Sequence, residues 1–202
     1  MLIIAHRGAS GERPENTLPA FERAIELRAD AVELDVRADR DGRLVVTHDP
    51  PVRGESYATL EEVLDLCRGR IPAMVELKTP RRYRRFDVVR RSVKLLGPDD
   101  ALVCFQRQPL VEARALRPGL RTVQHVGLGV SIRAAHDAWA AGFRDGRVTR
   151  RGIAAARALG LEALVYTVNE PARMVELAAL GATGIFTDYP DRARTTLAGP
   201  PG

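Results

Sequence analysis

A chain of 202 residues, 45% of them hydrophobic, fits a single domain, residues 1–202, large enough to bury a core without a disulfide staple. No run approaches the length of a membrane span, and no basic segment followed by an apolar one opens the chain, so the expectation is a cytoplasmic protein without a transmembrane segment. The net charge of +5 is scattered and aromatics make up only 5%, which argues against a nucleic-acid partner.

The first strand, residues 2–5, is an apolar run without alternation, as in a strand buried on both faces, and it ends in His6-Arg7-Gly8. Asn16 or Thr17 caps a helix with Pro19 in its first turn and Ala20, Phe21, Ala24, Ile25 and Leu27 at helical spacing. Val32-Glu33-Leu34-Asp35-Val36 reads as the second strand; after the tight turn Asp41-Gly42, residues 44–47 extend it and end in His48-Asp49. A loop over 50–56 leads to a helix opened by Thr59 and Glu62 at capping-box spacing. The alternation continues with strand 73–78, helix 86–96, strand 101–105, helix 110–116, strand 121–126 and helix 132–141. A weak strand near Phe143, helix 153–159, strand 163–168, helix 174–180 and strand 184–187 complete it, and the tail 198–202 reads as frayed. Eight main strands with helices between them predict an α/β fold with a parallel sheet. Closure into a TIM-type (β/α)8 barrel is favoured over an open sheet because no GxGxxG follows the first strand. Polar residues also end several successive strands instead of gathering at one switch point.

The chemistry lies in the charged strands. Side chains on a strand alternate faces, so Glu33 and Asp35 share one wall while Val32, Leu34 and Val36 take the other. Like charges held that close destabilise one another unless a cation sits between them, and a divalent metal with oxygen ligands is the expected cation. The device recurs at Val75-Glu76-Leu77-Lys78. Only Lys78 and Lys94 among 31 basic residues are lysine, so the lysine beside Glu76 points to a need for a compact ammonium. The densest basic run, Arg81-Arg82-Tyr83-Arg84-Arg85 with Arg90-Arg91 following, reads as a solvated helix face, with a cationic rim that attracts an anionic substrate as the functional alternative. Cys67 and Cys104 read as buried free thiols, while His125 and His136 fit a strand end and a helix.

The ordered set His6-Arg7-Gly8, Pro14-Glu15-Asn16-Thr17, Glu33-x-Asp35, Asp41-Gly42, His48-Asp49, Glu76-x-Lys78, Thr167-Val168-Asn169 and Gly184-Ile185-Phe186-Thr187-Asp188-x-Pro190 closely resembles the glycerophosphodiester phosphodiesterase family. That resemblance implies a TIM-type barrel and metal-dependent hydrolysis of glycerophosphodiesters, small anionic substrates, to glycerol 3-phosphate and an alcohol. It places the ligands of one divalent ion, magnesium, calcium or manganese, on Glu33, Asp35 and Glu76. The acid/base histidines fall on His6 and His48, and the cations at the phosphate on Arg7 and Lys78. Which histidine gives a proton and which takes one stays open, as do the alcohol, the choice of ion and the oligomeric state. Phe105 and Tyr166 are expected as an apolar wall for the glycerol or as core. Asp49, Glu15, Asn16 and Asp188 are expected to brace loops and caps. The chain departs from the family in a shortened insertion after the second strand, between His48 and Glu76. An open mouth of that kind would also suit a lysophospholipase D-like activity on lipid substrates. A barrel that binds metal or anions without turnover is the weaker alternative, because every catalytic position of the family pattern is filled.

Overall fold

The computed structural model describes residues 1–127 and 129–198. Its strands are β1 (Leu2–His6), β2 (Ala31–Ala38), β3 (Leu44–Val46), β4 (Ala73–Leu77), β5 (Ala101–Cys104), β6 (Arg121–Val126), β7 (Ala140–Arg144), β8 (Glu162–Tyr166) and β9 (Gly184–Thr187). Between and after them run helices α1 (Leu18–Glu26), α2 (Leu60–Cys67), α3 (Val88–Leu95), α4 (Arg107–Leu116), α5 (Arg150–Ala158), α6 (Pro171–Ala179) and α7 (Pro190–Ala198). Every strand except β3 is parallel to its neighbours, and β1 pairs with both β2 and β9, so the sheet closes into a (β/α)8 barrel. β3 lies antiparallel on the far end of β2, with Val36 opposite Val46 and Ala38 opposite Leu44. Only this hairpin and the loop 47–59 separate β2 from α2.

The two-residue period of the strands explains how one sequence builds a dry barrel with a polar mouth. The lower interior is filled by Ile4, Ala31, Met74, Val103, Val123, Ala140, Leu164 and Phe186, packed as one apolar cluster. Two residues further along the same strands, on the same face, stand His6, Glu33, Glu76, Phe105, His125, Gly142, Tyr166 and Asp188. The opposite parity, including Val32, Leu34, Val36, Val75, Leu77 and Leu102, packs outward against Phe21, Leu60, Val63 and Val89 of the helices. Chemistry is thus confined to the carboxyl ends of the strands, where barrels of this kind carry their sites.

Local signals fix the elements. Thr17 caps α1, its Oγ1 accepting the Ala20 N–H at 3.4 Å, while Asn16, left-handed at φ 59°, turns its side chain toward β2. Thr59 and Glu62 close a capping box on α2. Gly8 sits at φ 82°, and a Cβ there would stand 2.6 Å from the Ala20 backbone, so only glycine lets the β1–α1 loop lie against its own helix.

One expected helix differs. The helix expected over 132–141 is a single 3-10 turn, Ile132–Ala135, and Ala140 and Ala141 belong to β7. Both alanines are fully buried, and the ladder of β6 and β8 claims their backbone, so closure of the barrel overrides the helical propensity of the run. The helix expected over 86–96 is α3; ahead of it runs a 3-10 stretch, Pro80–Phe86, kinked at Tyr83 and separated from α3 by Asp87 at φ 51°. Cys67 and Cys104 are buried and unpaired. No helix among the described residues is long and apolar enough to cross a membrane. Of the tail expected to fray, residue 198 ends α7, and residues 199–202 lie outside the described residues.

Candidate active site

Adjacent strands bring the acidic groups together by register alone. Asp35 of β2 stands opposite Glu76 of β4, and Glu33 stands opposite His6 of β1. Carboxylate oxygens of Glu33, Asp35 and Glu76 lie within 4.8 Å of one another, and all three residues are buried. Three carboxylates in so small a dry volume repel strongly. Burial, then the charges of Asp35 and Glu76, push the Glu33 carboxyl well above the usual range. Burial pushes Glu76 the same way, but the His125 imidazole and the Lys78 ammonium outweigh it and hold that carboxyl at about 2.

Cations and amides surround the cluster. Lys78 Nζ stands 3.0 Å from Asp35 Oδ1 and 2.9 Å from Glu76 Oε1. Arg7 Nε lies 3.0 Å from Asp35 Oδ2, its Nη1 meets Glu15 at 2.7 Å, and its backbone N–H donates to Glu33 Oε2 at 3.1 Å. Asn16 clamps Asp35 from both sides: Nδ2 donates to Oδ2 at 3.0 Å, and Oδ1 accepts the Asp35 backbone N–H at 3.1 Å. Asp35 Oδ1 nevertheless takes no aligned hydrogen bond. A buried carboxylate oxygen that has an ammonium beside it but no aligned hydrogen bond, with two further carboxylates within 4.8 Å, fits a divalent cation with oxygen ligands.

The two strand-end histidines are held differently. His6 Nδ1 lies 2.8 Å from Asp188 Oδ1. That carboxylate is itself fixed by Ser10 Oγ at 2.9 Å and by Asn169 Nδ2 at 2.6 Å. A ring nitrogen tied to a carboxylate fixes the orientation of the imidazole and leaves Nε2 for other work. His48 Nδ1 meets Asp49 at 3.0 Å, but Asp49 is 87% exposed, so this contact is weakly restrained. The His48 loop is instead tethered through its carbonyl, which accepts from Arg37 Nε at 2.8 Å. Beside His48 opens a groove of about 570 Å³, lined among others by Glu15, Asn16, Leu18, Thr47 and Tyr57.

Burial raises the Asp188 carboxyl, yet the bonds from His6, Asn169 and Ser10 outweigh it and bring it to about 2, below its ordinary 3.8. A depressed folded value means stability fully present above the unfolded pKa and lost as pH falls through the folded one. Asp188→Asn is therefore expected to lose about 2 kcal/mol at pH 7, with the gap to wild type closing between about pH 4 and pH 2. Denaturant melts at several pH values measure it, and a pH-independent gap would contradict the assignment.

The structure brings all the expected site residues to one end of the barrel and adds His125, whose sequence context marks only a strand end. His125 is 3% exposed, its Nε2 3.6 Å from Glu76 Oε2 and its Nδ1 without a partner. Its ring lies 4.6 Å from that of Phe105 and 4.3 Å from that of Tyr166, so these three form the aromatic wall across the mouth from β2. Gly142 on β7 makes the space, because a Cβ there would collide with the imidazole. Asn16 and Asp188 brace more than loops, since each holds a site side chain directly. His136 stays at the surface, 2.6 Å from Asp137.

A family model described as the glycerophosphoryl diester phosphodiesterase family matches residues 6–68 and 100–192. A glycerophosphodiester phosphodiesterase of Bacillus subtilis is 30% identical, with 95% of this chain and 84% of that protein covered. The crystal structure of a glycerophosphodiester phosphodiesterase from Parabacteroides distasonis superposes with a TM-score of 0.86 at 25% identity, covering 98% of this chain and 96% of that one. A phosphodiesterase from Oleispira antarctica, solved in complex with the product sn-glycerol-3-phosphate, superposes with a TM-score of 0.87 at 23% identity, covering 98% and 97%.

Proposed function

The chain belongs to the glycerophosphoryl diester phosphodiesterase family, and from that membership we propose that it hydrolyses glycerophosphodiesters to glycerol 3-phosphate and an alcohol at the mouth of its barrel. The observation that carries this reading is the convergence of Glu33, Asp35 and Glu76 beside Arg7 and Lys78. An anionic diester that resists attack needs both charge neutralisation and fixed cations. The three carboxylates would hold one divalent ion, magnesium, calcium or manganese, all of which prefer hard oxygen donors. Such an ion, when bound, supplies positive charge to the phosphate oxygens.

The chain's own residues do the rest. Arg7 and Lys78 bind the phosphate from the side of the acidic centre. His6, oriented by Asp188, and His48, at the edge of the groove, move the two protons of the reaction, one taken from the nucleophile and one given to the departing alkoxide. The groove beside His48 is the room for the alcohol. Phe105, His125 and Tyr166 exclude water on the opposite side; burial pushes the Tyr166 hydroxyl to about 12, so it acts there as a neutral ring. A cytoplasmic place of action belongs to the same reading, supported by two cysteines that stand unpaired.

Glycerol 3-phosphate release from glycerophosphocholine in the presence of each ion is the direct test. Turnover of lysophospholipids alone, with soluble diesters untouched, would overturn it. Lys78→Arg probes the electrostatic part. The ammonium meets two carboxylates at 2.9 and 3.0 Å as a compact point charge; the substitution replaces it with a bulkier planar fork, and a roughly 10- to 100-fold fall in kcat/KM is expected. Steady-state kinetics decide it, and full activity would show that no compact charge is needed.

A further inference from the structure

The stretch 78–86 carries five cationic side chains and no carboxylate. Lys78 belongs to the acidic centre. Arg81, Arg82, Arg84 and Arg85 are exposed, and among the described residues none of these four forms an ion pair with a carboxylate; the nearest acid along the chain, Asp87, pairs with Arg90 at 3.1 Å. The cause of their exposure is the spacing of the apolar side chains in two short helical turns joined by a kink at Tyr83. Pro80 is buried, and Tyr83 and Phe86, three and six residues further on, are half-buried against the core around β2. The four arginines between them must therefore form an outward ridge. Because the turn follows β4 directly, this ridge stands on the rim of the mouth. A surface groove of about 390 Å³ separates it from Arg40, Pro50 and Pro51, beyond which Val52 is 56% exposed and Arg53 also faces solvent.

We propose that this ridge docks the protein on an anionic phospholipid surface, with the barrel mouth turned toward it. Four guanidinium groups strung along an exposed ridge match an array of phosphates; a single phosphate would need side chains converging on a pocket. Guanidinium is weakly hydrated and pairs phosphate in a bidentate manner, and Val52 offers an apolar side chain to the headgroup region. Nucleic acid also presents phosphates, but single strands require free rings on which bases stack; Tyr83 is half-buried against the core, and the Arg85 guanidinium already covers the Phe86 ring at 4.5 Å. The docking stands or falls independently of the reaction assigned to the barrel.

Co-sedimentation with phosphatidylcholine vesicles, with and without phosphatidylglycerol, tests it. Binding is expected only to the vesicles containing phosphatidylglycerol, weakening as salt rises. The fourfold variant Arg81→Gln/Arg82→Gln/Arg84→Gln/Arg85→Gln is expected to lower the partition coefficient by on the order of 10²- to 10³-fold, while turnover of a soluble diester stays at the wild-type level. Should the fourfold variant fail to fold, Arg81→Gln/Arg84→Gln is expected to lose roughly 30-fold. Absence of binding, equal binding to phosphatidylcholine alone, undiminished binding by a folded variant, or retention on single-stranded DNA without binding to vesicles would each overturn the proposal.

Discussion

Asp35→Asn is expected to abolish turnover, with a loss on the order of 10³-fold or more, and a chelator is expected to do the same to the wild type until a divalent ion is returned. Asp35 is the sharpest probe because every atom of its carboxylate is accounted for. One oxygen takes the Asn16 amide and faces the Arg7 guanidinium; the other faces Lys78 without an aligned hydrogen bond. Asparagine keeps the size and planar shape but removes the charge and one acceptor. The loss should therefore appear in activity and ion affinity while the far-UV circular dichroism stays unchanged. Hydrolysis at the full rate in a chelator would remove the ion from the mechanism.

His6→Ala and His48→Ala are each expected to lower kcat by about 10²- to 10⁴-fold with the fold intact. Neither side chain is part of the apolar core, so loss of packing does not explain such an effect. The surroundings of the two predict a further asymmetry. His6 depends on a carboxylate fixed by Ser10 and Asn169, whereas His48 touches an aspartate that is almost wholly in solvent. Removing the partner of His6 should therefore slow the reaction far more than removing Asp49. Wild-type turnover in either alanine variant would strike that histidine from the reaction.

The acidic centre was legible in the sequence because it depends on a two-residue period and on strand order, both of which survive without coordinates. Glu33, Asp35 and Glu76 needed only adjacent parallel strands in register to meet. The family resemblance then supplied the histidines and the cations. What stayed hidden depends on closure of the barrel. His125 comes to Glu76 across the mouth, through space that Gly142 of the neighbouring strand leaves free. Gly142 beside the pair Ala140 and Ala141 is the available signal, but the helical reading of 132–141 takes in the alanines and leaves only a weak strand near Phe143. Asn16 was hidden for a similar reason: its left-handed backbone frees its amide from the cap position and turns it onto Asp35.

The guanidinium of Arg7 already lies against Asp35, and the ammonium of Lys78 bridges Asp35 and Glu76. A centre offset in part by its own side-chain cations can assemble before any inorganic partner arrives. Occupancy would then be a matter of supply: scarcity of the ion would leave molecules idle but sound, ready to resume work when the concentration recovers.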